Sequence, residues 1–307
     1  MRKFFFLSST RIFFCAATAV SVPAFGFSDV STLFAPGVSL TSGWYDANKK
    51  SNQNVSTYDM NSCWAAASAN MLQWWQDNYK ASGNILPAGT PDGAGKGVTL
   101  GGVDYTYELE IYEVFLRDWE NSAGATLAVG LPWYFTGQTH SDSGLAKPTG
   151  AGGYFKNEWH EISGVLGSDW LVRYGAWGTW NQASSPLQVF SEKVKGALTN
   201  GVGGVDILYG NTLHQLTLWG ADFDAAGMVA AVYLTDSDDQ VHELRRYVVS
   251  EDGIEVKING YKNGNFLIAS LDTLRAYAIP EPSAFGLFAG TLALAFCAAR
   301  RRRRKKA

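Results

Sequence analysis

Cys63 is the residue in this chain best suited to chemistry. The sequence has three cysteines, of which Cys15 lies in a predicted export signal and Cys297 in an apolar C-terminal segment. A cysteine left alone after export cannot form an internal disulfide, so it serves either packing or catalysis. Cys63 begins a predicted helix, where unpaired backbone N–H groups and the helix dipole favour the thiolate and can hold an oxyanion.

A thiolate nucleophile needs a general base, and His214 is the strongest candidate among the four histidines. His214 begins an apolar segment that turns and returns as a second apolar segment, the pattern of a β-hairpin. If residues 224–226 form the loop, antiparallel pairing sets His214 opposite Asp236. Asp238 would share that face, two residues further on. Such a carboxylate would orient the imidazole toward Cys63, whereas the alternative is a strand-end histidine beside a solvated acidic turn.

Hydrophobic periodicity predicts the elements that position these residues. Asn61 or Ser62 can cap a helix that runs from Cys63 to about Tyr79. A second helix opens at Ser185-Pro186 and is closed by Gly201. The segments after it are predicted strands: residues 205–209, 214–223, 228–235 and 243–249. Residues 83–102 and 137–153 have the composition of loops, and 103–119 fits both a strand and a helix. Helices followed by strands predict an α+β fold.

Both ends of the chain have the composition of targeting segments. Residues 1–26 combine a basic start, an apolar stretch and small residues, the pattern of a secretory signal peptide. Near the other end, Pro280-Glu281-Pro282 precedes an uncharged segment, residues 283–299, and a cluster of arginine and lysine. This arrangement resembles the PEP-CTERM sorting signal of Gram-negative bacteria. The resemblance implies a transmembrane helix, processing by an exosortase, and delivery to the cell surface or extracellular matrix. A plain C-terminal membrane anchor is the alternative.

The region between these ends is acidic. Residues 27–280 hold 15 of the 25 Lys and Arg residues and 27 of the 28 Asp and Glu residues, a net charge near −12. Nucleic acid and anionic membrane surfaces are therefore poor partners. Two motif-like segments are predicted to be turns: Gly93–Gly97 lacks the hydroxyl residue and the first glycine of a phosphate loop, and Asp222–Gly227 lacks later ligands of a calcium loop. No zinc-ligand spacing occurs, and we expect no cofactor.

Three segments resemble a known family. They are Gly43-Trp44-Tyr45-Asp46 followed by Lys49; Cys63 followed by Ala65-Ala66-Ala67 and Asn70-Met71-Leu72-Gln73-Trp74-Trp75; and His214 followed by Leu218-Trp219-Gly220-Ala221-Asp222-Phe223-Asp224 and Tyr233-Leu234-Thr235-Asp236-Ser237-Asp238. These segments resemble the family of the streptococcal immunoglobulin-degrading enzyme IdeS, a papain-like cysteine endopeptidase. The similarity covers roughly residues 40–275 and is thin between 85 and 200.

The resemblance implies a role for each candidate residue. Cys63 would be the nucleophile and His214 the general base, and Asp236 would orient the imidazole with support from Asp238. Lys49 would correspond to the family's oxyanion-hole lysine and act with the Cys63 backbone N–H, although the adjacent Lys50 is a competing candidate. Trp64 follows the nucleophile where the family has a glycine, so we also expect a different cleft rim.

The resemblance also implies an overall organisation and an activity. Residues 1–26 would be the signal peptide, 27–278 a papain-like α+β peptidase domain, and 279–307 the sorting signal. The domain would have a helical N-terminal half with the nucleophile at a helix N-terminus and an antiparallel sheet in its C-terminal half. The substrate would be an immunoglobulin or another extracellular protein. The alternatives are a surface-anchored binding or matrix protein on an inactive peptidase scaffold, and an amidase or acyltransferase that acts on a non-protein substrate.

Overall fold

The computed structural model of the protein describes residues 30–51, 56–120, 124–139, 145–174, 185–253 and 255–277. The predicted signal peptide and sorting signal lie outside the described residues, as do Cys15, Cys297 and His140. Within the described ranges, none of the helices combines the length and the apolar character needed to cross a membrane.

Helices and strands both contribute to the described part of the chain, which confirms a mixed α and β composition. The helices are α1 (Cys63–Ala81), α2 (Glu110–Asp118), α3 (Leu127–Thr136), α4 (Trp159–Leu166) and α5 (Pro186–Asn200). The strands are β1 (Ser31–Phe34), β2 (Val98–Leu100), β3 (Val103–Tyr105), β4 (Leu171–Tyr174), β5 (Gly201–Tyr209), β6 (Thr212–Phe223), β7 (Val229–Thr235), β8 (Arg245–Asp252), β9 (Glu255–Tyr261) and β10 (Gly264–Arg275).

The large antiparallel sheet closes on itself. β6 pairs with both β5 and β7, and β10, β9 and β8 complete the ring between them, so the sheet is barrel-like. β1 extends one edge of β6, and β4 pairs with β10. A sheet of this shape brings the ends of several hairpins together at one rim.

Helix α1 is enclosed on nearly all sides, which fixes the position of its first residue. Most of its side chains are buried, including Met71, Trp74 and Trp75. It packs against α2 and α3 on one side and against β5 and β6 on the other. A helix buried all round has no single apolar stripe, in agreement with its run of alanine, tryptophan and leucine. The N-terminus of α1 therefore lies at the junction of the helices and the closed sheet.

Several sequence predictions are confirmed and others are wrong. The helices that begin at Cys63 and at Pro186 are present. Residues 103–119 are not one element, because β3 ends at Tyr105 and α2 starts at Glu110. The predicted loop at residues 83–102 contains the short strand β2. Further elements were not predicted: β1, α3, α4, β4, β9 and β10.

The glycine-rich segment that looks like a phosphate loop encloses a carboxylate of the protein itself. Glu113, which is buried, accepts backbone N–H groups from Lys96, Gly97 and Tyr107 at distances of 2.8 to 3.0 Å. A Cβ atom at Gly95 would collide with the Glu113 carboxylate. This use of the N–H groups confirms that the segment is a structural turn.

Candidate active site

Cys63 is partly exposed at the first position of α1. Ser62 occupies the N-cap position but its side chain makes no capping bond. Its hydroxyl instead donates to the Asp59 carbonyl at 2.6 Å and lies 2.7 Å from the Tyr112 hydroxyl. Ser62 is therefore the N-cap residue, as predicted, although its side chain bonds elsewhere. The first backbone N–H groups of a helix have no intrahelical acceptor. Those nearest the Cys63 sulfur can therefore donate hydrogen bonds to an oxyanion that forms there.

The structure brings Cys63, His214 and Asp236 together. His214 interacts with the Cys63 side chain, and its Nε2 lies 2.7 Å from Asp236 Oδ1. Because Nε2 faces the carboxylate, Nδ1 is the ring nitrogen left for the sulfur. The Gln215 backbone N–H also donates to the Cys63 sulfur. The Cys63 sulfur, the His214 ring and the Asp236 carboxylate thus form one continuous series of interacting groups.

The hairpin that holds His214 and Asp236 differs in register from the prediction. Thr217 pairs with Thr235 at the end of the β6–β7 ladder, so His214 is not directly opposite Asp236 but is offset by two residues. Register shifts occur between Leu218 and Gly220 and between Asp222 and Phe223. The two shifts move the pairing by one residue in opposite directions and therefore cancel. Beyond them, the side chains project from the same face of the sheet as they would in a ladder without shifts. The expectation that both residues share a face is confirmed, and the expected pairing is wrong.

Both oxygens of Asp236 are hydrogen-bonded. Oδ1 accepts the Asp238 backbone N–H at 2.9 Å as well as the imidazole, and Oδ2 accepts the Tyr261 hydroxyl at 2.8 Å. Tyr261 ends β9, a strand that sequence analysis missed, so its place beside Asp236 was also missed. The available signals were Asp252-Gly253 before β9 and Asn263-Gly264 shortly after it, both common hairpin turn dipeptides. With both of its oxygens engaged, the carboxylate is held in position.

Asp238 ties two lysines to the site. Lys49 Nζ lies 2.6 Å from Asp238 Oδ1 and donates to the Met60 carbonyl at 3.1 Å, and Lys262 Nζ lies 3.5 Å from Asp238 Oδ2. Lys49 is also buried and its charge acts on Cys63. Lys50, by contrast, extends its ammonium over the Tyr107 ring at 5.2 Å. The charge that acts on the sulfur is therefore that of Lys49, whereas the Lys50 ammonium lies over an aromatic ring.

The electrostatics favour an ion pair between Cys63 and His214. Burial by itself would raise the pKa of the Cys63 thiol, but the hydrogen bond from His214 and the charges of His214 and Lys49 lower this pKa below its usual value. Burial would lower the pKa of His214, but its bonds to Asp236 and Cys63 outweigh burial and raise this pKa to about 10. Between these two pKa values the stable pair is thiolate and imidazolium.

Asp238 stays ionised over the whole pH range between the pKa values of Cys63 and His214. Burial would raise its pKa, but the charges of His214, Lys49 and Lys262 lower this pKa to about 2.

His214, Asp236 and Asp238 also have donor atoms within 4.8 Å of one another, a spacing that could suit a metal ion. However, these atoms are already engaged with each other and with two ammonium groups, and nearby positive charge opposes a divalent cation. The donor set fits a proton-transfer network better than a metal site.

The remaining candidates lie apart from this network. Trp64 is only 3% exposed and packs edge-on against Phe115 and Trp119, so it lies in the helical layer. The expected difference at the cleft rim stays a prediction. His160 is exposed on α4. His242 stacks on the Trp44 indole with ring centroids 4.7 Å apart.

Comparison with known proteins gives two matches. A model of the Mac 1 family matches residues 25–86 and 181–277, which together make up more than half of the chain and include every residue of the network. The IgM protease of Streptococcus suis (strain P1/7) is 27% identical over 247 residues, which cover 75% of this chain and 21% of that protein. The chain thus spans about a fifth of the length of this curated relative. On the extent of the family match, the chain belongs to the Mac 1 family.

Proposed function

We propose that this protein is an exported cysteine endopeptidase of the IdeS type with a papain-like fold. In this proposal Cys63 is the nucleophile, His214 the general acid and base, and Asp236 the residue that orients the imidazole. The observation that carries the proposal is the continuous contact from the Cys63 sulfur through His214 to Asp236. Membership of the Mac 1 family and the name of the S. suis relative support it.

The reaction follows from the charges in the site. The Cys63 thiolate attacks the scissile carbonyl carbon, and the tetrahedral oxyanion collapses as His214 donates its Nδ1 proton to the leaving amine. A thioester then joins Cys63 to the acyl half of the substrate. Neutral His214 removes a proton from water, the resulting hydroxide attacks the thioester, and the thiolate is released together with the acid product. No cofactor takes part in these steps.

Lys49 and the Cys63 backbone N–H are the proposed oxyanion donors. The Lys49 ammonium is held by Asp238 and by the Met60 carbonyl, so it is oriented before substrate arrives. A donor that needs no reorganisation is worth far more in a partly dehydrated site than in water. Asp238 would therefore act through Lys49 and through the His214 ring, whose Nδ1 is 3.9 Å from Asp238 Oδ2.

The proposed substrate is an extracellular protein, with an immunoglobulin as the first candidate. The relative from S. suis is named an IgM protease, and this chain matches about a fifth of it. We also propose that residues 1–26 direct export, that 27–278 form the peptidase domain, and that 279–307 are a PEP-CTERM signal processed by an exosortase. This organisation would place the enzyme on the surface or in the matrix of a Gram-negative bacterium.

Digestion of whole proteins tests the proposed activity. The purified protein is incubated with IgM, with IgG and with a mixture of extracellular proteins, beside a Cys63→Ala variant, and new N-termini are identified by mass spectrometry. We expect new N-termini only with intact Cys63. A matched His160→Ala variant, at an exposed position of α4, should retain cleavage, whereas His214→Ala should lose it.

The same preparation separates the alternatives. Failure to cleave any protein, with Cys63 alkylated by iodoacetamide no faster than a small thiol, would favour a binding or matrix protein on an inactive scaffold. Rapid alkylation without proteolysis would instead favour an amidase or acyltransferase that acts on a non-protein substrate. Either result would contradict the endopeptidase proposal.

A further inference from the structure

A cavity of about 260 Å³ opens beside the segment that carries Lys49. It is bordered by aromatic and acidic side chains and by two small residues of the 93–94 loop, and we call it the Trp44 pocket. Its lining is Trp44, Tyr45, Asp46, Gly93, Ala94, Glu108, Leu109 and His242. None of the roles proposed above uses this pocket.

Two residues that line the Trp44 pocket have buried polar atoms that lack partners within the described residues. Asp46 is only 2% exposed, and while its Oδ2 accepts the Glu243 backbone N–H at 3.0 Å, its Oδ1 accepts no hydrogen bond there. The Trp44 Nε1–H is likewise buried and unpaired. A buried carboxylate oxygen without a donor is unfavourable, so it indicates a ligand that supplies an N–H group.

The other walls of the pocket suit a flat cation. The Trp44 and His242 rings are stacked, with an angle of 29° between their planes, and form an aromatic wall. Glu108 is exposed, and its Oε2 is held by the Asn48 backbone N–H at 3.1 Å. A guanidinium group is planar, stacks on aromatic rings and presents five N–H donors to carboxylates, so it matches this combination of groups.

The charge of the pocket also favours a cation. Burial, reinforced by Asp239, Asp236 and Glu108, raises the pKa of Asp46 to about 8, although the Glu243 N–H opposes this shift. An empty pocket therefore holds Asp46 largely neutral near pH 7, and a bound cation would restore its charge. Anionic side chains would meet Glu108 and the other carboxylates and be repelled.

The pocket lies within reach of a peptide bound at Cys63. Asp46 and Lys49 are three residues apart, so their Cα atoms are separated by at most about 11 Å. Lys49 in turn acts electrostatically on Cys63, and Asp236 acts on Asp46. An extended peptide advances about 3.3 Å per residue, so a side chain a few residues from the scissile bond can enter the pocket.

We propose that the Trp44 pocket is a subsite that binds an arginine side chain of the substrate a few residues from the scissile bond. Asp46 and Glu108 receive its N–H groups, and the aromatic wall packs against its plane. This assignment rests on the proposed peptidase function, because it treats the pocket as part of a peptide-binding cleft.

A binding measurement tests the pocket without requiring turnover. N-acetyl-arginine amide and its neutral isostere N-acetyl-citrulline amide are titrated by NMR into the full chain that carries Cys63→Ala. We expect the arginine probe to bind about tenfold more tightly or better, because hydrogen bonds to a charged partner are lost with citrulline. Glu108→Gln and Asp46→Asn, added separately, should abolish this preference. Glu251→Gln, an exposed change at the far end of β8, should leave it intact.

Equal binding of the two probes, or a preference that survives both pocket variants, would overturn the subsite. Because Asp46 is buried, its variant is interpreted only if thermal unfolding is unchanged, and exposed Glu108 supplies the independent variant. Cleavage of peptides that differ only in arginine against citrulline then separates the two proposals. Cleavage without an arginine preference would refute the subsite, whereas an arginine preference in binding without any cleavage would refute the peptidase function.

Discussion

At the scale of single residues, the proposed catalytic network depends on the charges that surround one sulfur atom. Cys63 is stabilised as a thiolate by His214 and Lys49, and His214 is stabilised as an imidazolium by Asp236. Each partner shifts the pKa of its neighbour, so the pair titrates as a unit. The identity of these residues could be predicted from the sequence because their types and order carry the chemistry.

The pH dependence of activity follows from these shifts. The kcat/KM should rise as Cys63 loses its proton, at a pH below the usual pKa of a thiol, because the folded pKa is lowered. It should fall again near pH 10, because His214 then loses the proton that the leaving amine requires. A pH–rate profile with a fluorogenic peptide measures both limbs. An alkaline limb near pH 6.5 would contradict the assignment of His214.

Lys49 and Lys50 offer a matched pair of variants. Lys49→Ala should lower kcat by about 10²- to 10³-fold, the usual effect of removing one oxyanion donor. Lys50→Ala should have little effect, because its ammonium rests over Tyr107 and points away from Cys63. Steady-state kinetics on both variants decides the question. Equal losses in the two would show that Lys49 has no special role.

Tyr261→Phe tests the support of Asp236. The change removes the hydroxyl that donates to Asp236 Oδ2 and leaves a buried carboxylate oxygen without a donor. We expect a loss of about 1–3 kcal/mol in the free energy of unfolding. The alkaline limb of the pH–rate profile should also move, because Asp236 holds the His214 proton. Denaturant unfolding together with that profile measures both effects, and Tyr58→Phe, an exposed tyrosine, is the control.

At the scale of elements, helix α1 and the β6–β7 hairpin position the network from opposite sides. The Asn70 side chain of α1 donates to Thr217 of β6 at 3.1 Å and accepts the Ala47 N–H at 2.9 Å. These bonds join the helix to the sheet and to the segment that carries Lys49. The start of helix α1 was predictable from the polar residues Asn61 and Ser62 before Cys63, whereas a helix that is buried all round offers no clear periodicity.

The register of the hairpin was not predictable from the pattern of apolar residues. Phe223 pairs with Val229, so the loop spans residues 224–228 instead of 224–226, and this difference displaces the partner of His214 by two residues. Strand β10 was missed because it buries polar residues such as Ser270 and Asp272, and so has no apolar alternation. Those side chains are stabilised by partners from distant segments, and a local reading of the sequence cannot identify them.

Trp75→Ala tests the contribution of α1 to stability. Trp75 is completely buried and packs against Tyr79, Phe135 and Phe155. Truncation should lower the free energy of unfolding by about 3–5 kcal/mol, because it leaves a large cavity among rings. Val248→Ala, at an exposed position of β8, should change it by less than about 0.5 kcal/mol. Similar effects in the two variants would contradict this account of the core.

At the scale of the whole molecule, the candidate site is built from two halves that meet. The nucleophile comes from the helical layer, and the base and its carboxylate come from the closed sheet, so the site exists only when both are folded. The Mac 1 match has the same two-part form, with one block around Cys63 and another that contains His214. The intervening residues 87–180 lie outside the match.

The central claim is that a folded Cys63 is ionised by its imidazole partner. Ultraviolet absorbance of the thiolate, titrated against a Cys63→Ala reference, measures the pKa of this sulfur directly. The account predicts a pKa clearly below the usual value of about 8.5 for a free thiol, and a return to that value or above in His214→Ala. A wild-type thiol that titrates at or above the usual value, with no change in the variant, would contradict it.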